Sequence, residues 1–131
     1  MKKYLITALF CLVLSSLSYA QKVNTYCSKR FEYFDSLSLE DGMYWDVEPK
    51  VEDSSKPFIG LLKRTVIENG YRDLDVDVIL SRDGKPVCFR YNQDIKHELQ
   101  TMIEVNFKRV KFEPAIKRNR FVESIYIVHL W

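Results

Sequence analysis

The chain has 131 residues, of which 20 are Lys or Arg and 18 are Asp or Glu, so its formal net charge is +2. A chain of this length buries one modest hydrophobic core and is too short for two ordinary domains. A charge so close to neutral argues against a general nucleic-acid binder, which needs an excess of basic side chains to contact phosphates.

Residues 1–20 have the composition of a cleavable secretory signal peptide. Two lysines follow the first methionine, an apolar run extends from Tyr4 to Leu14, and Ser18-Tyr19-Ala20 places small residues where a signal peptidase reads them. The apolar run is shorter than the roughly 20 residues that a membrane-spanning helix needs. We therefore expect cleavage after Ala20, export of the mature chain, and no membrane anchor after cleavage.

Residues 21–47 form an N-terminal segment whose structure the sequence leaves open. Phe31, Phe34 and Leu37 have helical spacing, whereas Phe31 and Tyr33 have the alternation of a strand. The same part of the chain is acidic, because residues 32–53 contain eight acidic side chains and a single base, Lys50.

A helix is predicted to begin at Pro57, since proline suits the first helical turn, and to end at Asn69-Gly70. The side chains expected on its buried face are Phe58, Leu61, Leu62 and Val66.

The next pattern predicts a β-hairpin over residues 74–91. Leu74, Val76, Val78 and Leu80 alternate with Asp75, Asp77 and Ile79, and the return strand alternates in the same way through Val87, Phe89 and Tyr91. Between them, Asp83-Gly84 is typical of a two-residue turn, because glycine tolerates a positive φ.

A second helix is predicted from an N-cap at Asp94 to about Phe107, with a buried stripe formed by Ile95, Leu99, Met102 and Ile103. Pro114 then interrupts regular pairing because it lacks an N–H. The β-branched and aromatic residues from Phe121 to Trp131 predict one long final strand.

A basic patch lies between the second helix and the final strand. Residues 108–120 contain one acid, Glu113, and six bases: Lys108, Arg109, Lys111, Lys117, Arg118 and Arg120. The acidic and basic segments are either two solvated faces or two segments that attract each other within the fold. The alternative is that the basic patch binds an acidic partner.

Two cysteines, Cys27 and Cys88, remain after the expected cleavage. In an oxidising compartment they form either one disulfide or two buried free thiols. In the chain-entropy model the disulfide would stabilise the fold by roughly 4 kcal/mol.

Motifs for catalysis, cofactors and metals are missing from the sequence. Asp73, Asp75 and Asp77 do not continue as a calcium loop, because Val78 and Gly84 stand where that loop needs Gly and Glu. The two histidines, His97 and His129, are too few for a metal site with the other residues present. No nucleophile motif, Walker loop or dinucleotide glycine pattern occurs. We therefore expect a non-enzyme without a cofactor.

The predicted fold class is α+β, with a small antiparallel sheet made of a hairpin and a long C-terminal strand, and a helix before it. Four features follow one another along the chain: the hairpin over 76–87, Glu98-Leu99, Phe112-Glu113-Pro114-Ala115, and Ile125 to Val128. In this order they resemble the TonB C-terminal domain family. The resemblance covers residues 48–131. Within this range the sequence departs from the family pattern in two places. It lacks the family's Tyr-Pro pair before the first strand, and in place of the family's glycine turn it has Lys117-Arg118-Asn119-Arg120.

The resemblance implies a protein-binding domain rather than the energy transducer itself, because the chain lacks a Pro-rich spacer and a membrane anchor. It implies a periplasmic location, a role accessory to outer-membrane transport, and an outer-membrane receptor or envelope protein as the partner. In this family the last strand lies at the sheet edge, where a partner strand or a second copy of the chain can pair. The alternative is that residues 21–45 of the same chain fold back and pair with this edge. The edge-strand residues expected to bind are Arg120, Phe121, Glu123, Ile125 and Ile127. The rival hypothesis is a secreted α+β ligand-binding or inhibitor domain that uses the basic patch.

Overall fold

The computed structural model describes residues 25–37 and 44–131, and the chain divides into two units, Met1–Ser36 and Leu37–Trp131. The predicted signal peptide, residues 1–20, lies outside the described residues, as do parts of the N-terminal segment. The described residues form an α+β fold with three helices and small antiparallel sheets, as the sequence predicts at that level.

The described part of the first unit is a helix, α1, over residues 25–36. Phe31 and Phe34 are its buried apolar side chains, and their spacing of three residues places them on one helical face. The helical prediction is therefore confirmed for residues 25–36, although Leu37 lies just beyond the helix. Tyr33, which the strand prediction required, is 43% exposed.

The two cysteines lie in different elements. Cys27 is in α1, and Cys88 is in a strand of the second unit, where its side chain is buried. Both are disulfide-bonded, so the disulfide is confirmed and the free-thiol alternative is wrong.

The main sheet of the second unit has three antiparallel strands. The central strand β2 (Asp75–Leu80) pairs with β3 (Pro86–Tyr91) on one side and with β7 (Ser124–His129) on the other. The four alternating side chains predicted for the core are all fully buried, namely Leu74, Val76, Val78 and Leu80. The predicted hairpin is therefore confirmed.

The hairpin loop differs from the expected two-residue turn. Ser81 N–H donates to the Lys85 carbonyl at 2.8 Å, and Gly84 N–H donates to the Ser81 carbonyl at 2.9 Å. Gly84 has φ of 77° whereas Asp83 has no positive φ, and the register shifts after Ile79. The loop therefore has three residues, Arg82 to Gly84, and a bulge follows it.

Helix α2 (Lys56–Glu68) has the predicted ends, with Pro57 in the first turn, Asn69 as C-cap and Gly70 at φ of 87°. Its buried face is rotated from the prediction. Leu62 and Val66 are buried and Ile59 packs on the core, whereas Phe58 and Leu61 are 43% and 59% exposed. The spacing 59, 62 and 66 forms one helical face, so Phe58 and Leu61 point away from it.

Helix α3 (His97–Phe107) follows an N-cap at Lys96 rather than at Asp94, so the predicted start is wrong. Lys96 has extended backbone, and its N–H donates to the Tyr71 hydroxyl at 3.0 Å. That bond delays the helix. Within the stripe, Leu99 and Ile103 are buried and Ile95 and Met102 pack partly against the core, as predicted.

Short strands complete the second unit. Strand β1 (Lys50–Val51) pairs with β4 (Phe112–Glu113), and a 3₁₀ turn over Asp53–Ser55 leads into α2. Pro114 separates β4 from β5 (Ala115–Lys117), which forms a second hairpin with β6 (Arg120–Val122).

The predicted single strand from Phe121 to Trp131 is wrong, because the chain leaves β6 after Val122 and begins β7 at Ser124. The tight turn at Arg118-Asn119, where both residues have positive φ, 54° and 63°, folds β6 back on β5, so residues 120–122 belong to a different sheet from β7. The Asp46 carboxylate accepts the Arg118 N–H at 2.7 Å and stabilises that turn.

Candidate protein-binding edge

Strand β7 lies at one edge of the three-stranded sheet. Its six residues pair antiparallel with β2, from Ser124 opposite Leu80 to His129 opposite Asp75. Among the strands of residues 44–131, β2 is its only neighbour, and residues 25–36 of the N-terminal segment are helical. The second flank of β7 is therefore unpaired within the described part of the chain.

The alternation of hydrogen bonds along β7 identifies the backbone groups that face the unpaired flank. Leu130 N–H donates to the Leu74 carbonyl at 2.9 Å, so the backbone of Leu130 faces β2. Because antiparallel strands alternate between paired and outward groups, the even residues of β7 bond to β2. The N–H and C=O groups of Ile125, Ile127 and His129 consequently face outward.

The side chains of β7 alternate between the two faces of the sheet. Val128 is buried, and Tyr126 packs against the core with its ring 5.9 Å from that of Phe112. On the other face, Ile127 is 50% exposed and His129 is exposed. A partner strand beside β7 would therefore meet an apolar row on one face and the rim of the core on the other.

The structure does not bring all the predicted edge residues together. Ile125 and Ile127 lie in β7, whereas Arg120 and Phe121 lie in β6, which pairs with β5 in a separate sheet. Glu123 connects β6 to β7. Phe121 is 59% exposed, but it does not extend the row formed by the two isoleucines, because the strand is broken between them.

Acidic side chains on the outer face of β2 have partners on both neighbouring strands. Asp77 accepts hydrogen bonds from Arg90 on β3, at 2.9 Å from Nε and 2.8 Å from Nη2. Asp75 Oδ1 lies 2.6 Å from His129 Nδ1 and accepts a bond from Trp131 Nε1 at 2.9 Å. These contacts connect the central strand to side chains at the end of β7.

The Asp75 contacts predict a pH effect on stability. Burial alone would raise the pKa of this carboxyl, but hydrogen bonds from His129 and Trp131 outweigh burial and lower its pKa. Asp75 therefore stabilises the fold above its unfolded pKa of about 3.9, and this contribution is lost as the pH falls through the lowered folded pKa. Urea unfolding from neutral pH to about pH 2 should show that Asp75→Asn removes part of the acid sensitivity. Equal pH slopes for the two proteins would contradict this.

The acidic and basic segments are paired in the fold. Asp46 and Val47 both donate backbone N–H groups to the Ile116 carbonyl, at 2.9 and 3.1 Å. Lys50 and Glu113, each the exception in its own segment, form a 3.2 Å ion pair between β1 and β4. The two segments therefore lie side by side, held by backbone hydrogen bonds and by one ion pair between their two exceptional residues.

The bases of the predicted basic patch lie on different elements. Lys108, Arg109 and Lys111 are exposed around the end of α3 and the start of β4. The other bases lie on the second hairpin, where Lys117 stands directly opposite Arg120. Together with Arg118, Tyr44 and Val122 they line an open groove of about 670 Å³. The Lys117 ammonium lies 3.2 Å from the centre of the Tyr44 ring, a cation–π contact.

A second groove lies on the core side of the β7 edge, and we call it the α2 groove. Its volume is about 510 Å³. Tyr126 is its contribution from β7, and the remaining lining comes from β1, the 3₁₀ turn and the first half of α2: Lys50, Val51, Asp53, Lys56, Ile59, Gly60 and Lys63. No pattern in the sequence predicts this groove. The only local signal was the glycine inside an apolar helical pattern.

No group of three or more His, Cys, Asp or Glu side chains within 25–37 and 44–131 is placed to hold a metal ion. No helix among the same residues is long and apolar enough to cross a membrane.

The geometry thus defines an α+β domain with an open strand edge next to a groove. Comparison of the chain with protein-family models, curated proteins and solved structures gives no match.

Proposed function

We propose that this chain is an exported, non-enzymatic protein-binding domain that adds a strand of a partner protein to the open edge of β7. The observation that carries the proposal is the position of β7 at the sheet edge, with β2 on one flank. Three outward N–H and C=O pairs, at Ile125, Ile127 and His129, are available for backbone hydrogen bonds. Such bonds give affinity in strand addition, and alternate side chains give selectivity.

The proposed setting follows from the resemblance to the TonB C-terminal domain family. A hairpin, a helix, Phe112-Glu113-Pro114-Ala115 and a last strand at the sheet edge occur here in the family's order. On this basis the domain works in the periplasm and binds an outer-membrane receptor or envelope protein, as an accessory to transport. The disulfide supports export, because disulfides persist in oxidising compartments.

The proposal predicts that a proline at position 127 strongly weakens partner binding while the domain still folds. Proline removes the outward N–H of Ile127 and leaves the bonds from β7 to β2 in place, and edge strands tolerate proline where the N–H faces solvent. Ile127→Thr is the matched control because it keeps the N–H. We expect Ile127→Pro to weaken binding at least roughly tenfold and Ile127→Thr to weaken it far less.

The partner is first identified by photo-crosslinking in the native envelope, with the photoreactive residue at position 127 or, as control, at the exposed Val105 of α3. A partner strand on β7 gives an adduct at 127 only. The binding of that partner to the Ile127→Pro and Ile127→Thr variants is then measured. An adduct with a second copy of the chain indicates a homodimer through the same edge. Identical adducts at both positions, or equal binding by the two Ile127 variants, would contradict the proposal.

A second candidate function is a ligand-binding or inhibitor domain that uses the groove on the second hairpin. Like charges directly opposite each other destabilise a strand pair, and Lys117 faces Arg120 across β5 and β6. An anionic ligand would relieve that repulsion. If this function is the right one, changing Lys117, Arg118 and Arg120 together to Ala abolishes binding, whereas proline at Ile125 leaves binding intact in a folded variant.

A further inference from the structure

The α2 groove lies where a strand added to β7 would place its inward side chains. Tyr126 projects toward the core side of the sheet and lines the groove. Directly opposed residues on neighbouring strands project to the same face, and a new strand would lie about 4.8 Å beyond β7. The partner residue opposite Tyr126 therefore points into the groove.

The groove is open where that side chain would enter. Gly60 lines it from α2, and a Cβ placed on Gly60 would have no other heavy atom within 4 Å. Glycine inside a helix costs up to about 1 kcal/mol relative to alanine. At Gly60 the missing side chain leaves room in the groove, and packing within the domain does not require its absence.

The charge of the groove is positive. Its charged lining consists of Lys50, Lys56, Lys63 and one acid, Asp53. Lys56 is paired with Asp53 at 2.7 Å, and Lys50 with Glu113 at 3.2 Å, both at exposed positions where ion pairs contribute little. Lys63 is half-buried and forms no ion pair with another residue in the described parts of the chain.

From these observations we propose that the α2 groove is the side-chain specificity pocket of the β7 edge, and that it selects a carboxylate on the partner strand. This inference rests on the proposed function, since the strand must first pair with β7. The carboxylate is the Asp or Glu opposite Tyr126, and its counter-charge is Lys63, the groove lysine without an ion pair among the described residues. The partner is thus an extended segment with an acidic residue at one inward position.

The probe is a surface array of nine-residue peptides that alternate Thr and Val, with Glu, Gln, Lys or Gly at the central position. The Glu peptide is expected to bind about fivefold more tightly than the Gln peptide, which is the size of effect that one partly exposed ion pair gives. The Lys peptide should bind worst. The preference for Glu should shrink at high salt, where such charges are screened.

Two variants of the domain separate the pocket from the edge. Gly60→Met fills the groove and is expected to remove binding of the Glu peptide while the Gly peptide still binds. Leu61→Met is its matched control, because Leu61 is on the same helix and exposed away from the groove. Lys63→Gln should make the Glu and Gln peptides bind equally without changing binding of the Gly peptide.

The outcomes distinguish the two proposals. If no peptide binds, not even the Gly peptide, strand addition to β7 fails and the pocket fails with it. If all peptides bind equally, or if Gly60→Met and Leu61→Met behave alike, the edge stands and the pocket is overturned. Retained circular dichroism of Gly60→Met shows that the loss is not unfolding.

Discussion

Replacing Gly84 by Ala is expected to lower the free energy of unfolding by about 3 kcal/mol or more. Gly84 has φ of 77°, and a Cβ there would overlap the Phe112 carbonyl oxygen and lie 3.3 Å from Pro114 Cδ. An L-residue in this backbone region costs roughly 1–2 kcal/mol, and overpacking a buried site costs typically about 1–3 kcal/mol more. The overlapping atom belongs to the backbone, so it cannot move away without shifting β4.

The matched control is Gly70→Ala. Gly70 has a similar φ of 87°, but a Cβ there would meet no other atom within 4 Å. This variant should therefore lose only the backbone term, about 1–2 kcal/mol. Urea unfolding followed by circular dichroism measures both losses. Equal losses would show that the contact between the hairpin loop and β4 contributes nothing.

The parts of the fold that the sequence predicts are those in which local and tertiary preferences agree. The alternation from Leu74 to Leu80 matches a strand buried on one face, and Pro57 and Gly70 mark the ends of α2 through their own backbone restrictions. Such signals lie within a few residues of the structure they specify. They need no knowledge of the partner elements.

The errors arise where a distant contact decides the local structure. The turn at Arg118-Asn119 contains no glycine, and it is stabilised by the carboxylate of Asp46, which is 72 residues earlier in the chain. The start of α3 depends on the Tyr71 hydroxyl in the same way. Neither contact produces a sequence pattern near the element that it controls. The sequence therefore predicts neither the break between β6 and β7 nor the start of α3.

The candidate site shows the same division. A strand containing Ile125 and Ile127 follows from a local pattern, whereas its position at the sheet edge is an expectation from the family resemblance. The α2 groove does not follow from any local pattern, because Lys50, Lys63 and Tyr126 are far apart in the chain and belong to three elements. A pocket lined by residues that are distant in sequence can be located only when the register of β7 is known.

The disulfide is expected to contribute the largest single share of stability. Cys27 and Cys88 are both disulfide-bonded, and closing a loop of this length restricts the unfolded chain by roughly 4 kcal/mol in the chain-entropy model. Folded domains have only about 5–15 kcal/mol in total, so reduction should bring the chain close to unfolding. The midpoint of urea unfolding with and without dithiothreitol measures the effect, and a thiol count confirms that the bond is broken.

The control is the double variant Cys27→Ala with Cys88→Ala, which cannot form the bond. Its stability should equal that of the reduced chain within about 1–2 kcal/mol, the margin being the side chain lost at the buried Cys88, and dithiothreitol should not change it. Equal free energies of unfolding for the reduced and the oxidised chain would contradict this prediction, because the disulfide would then not stabilise the fold.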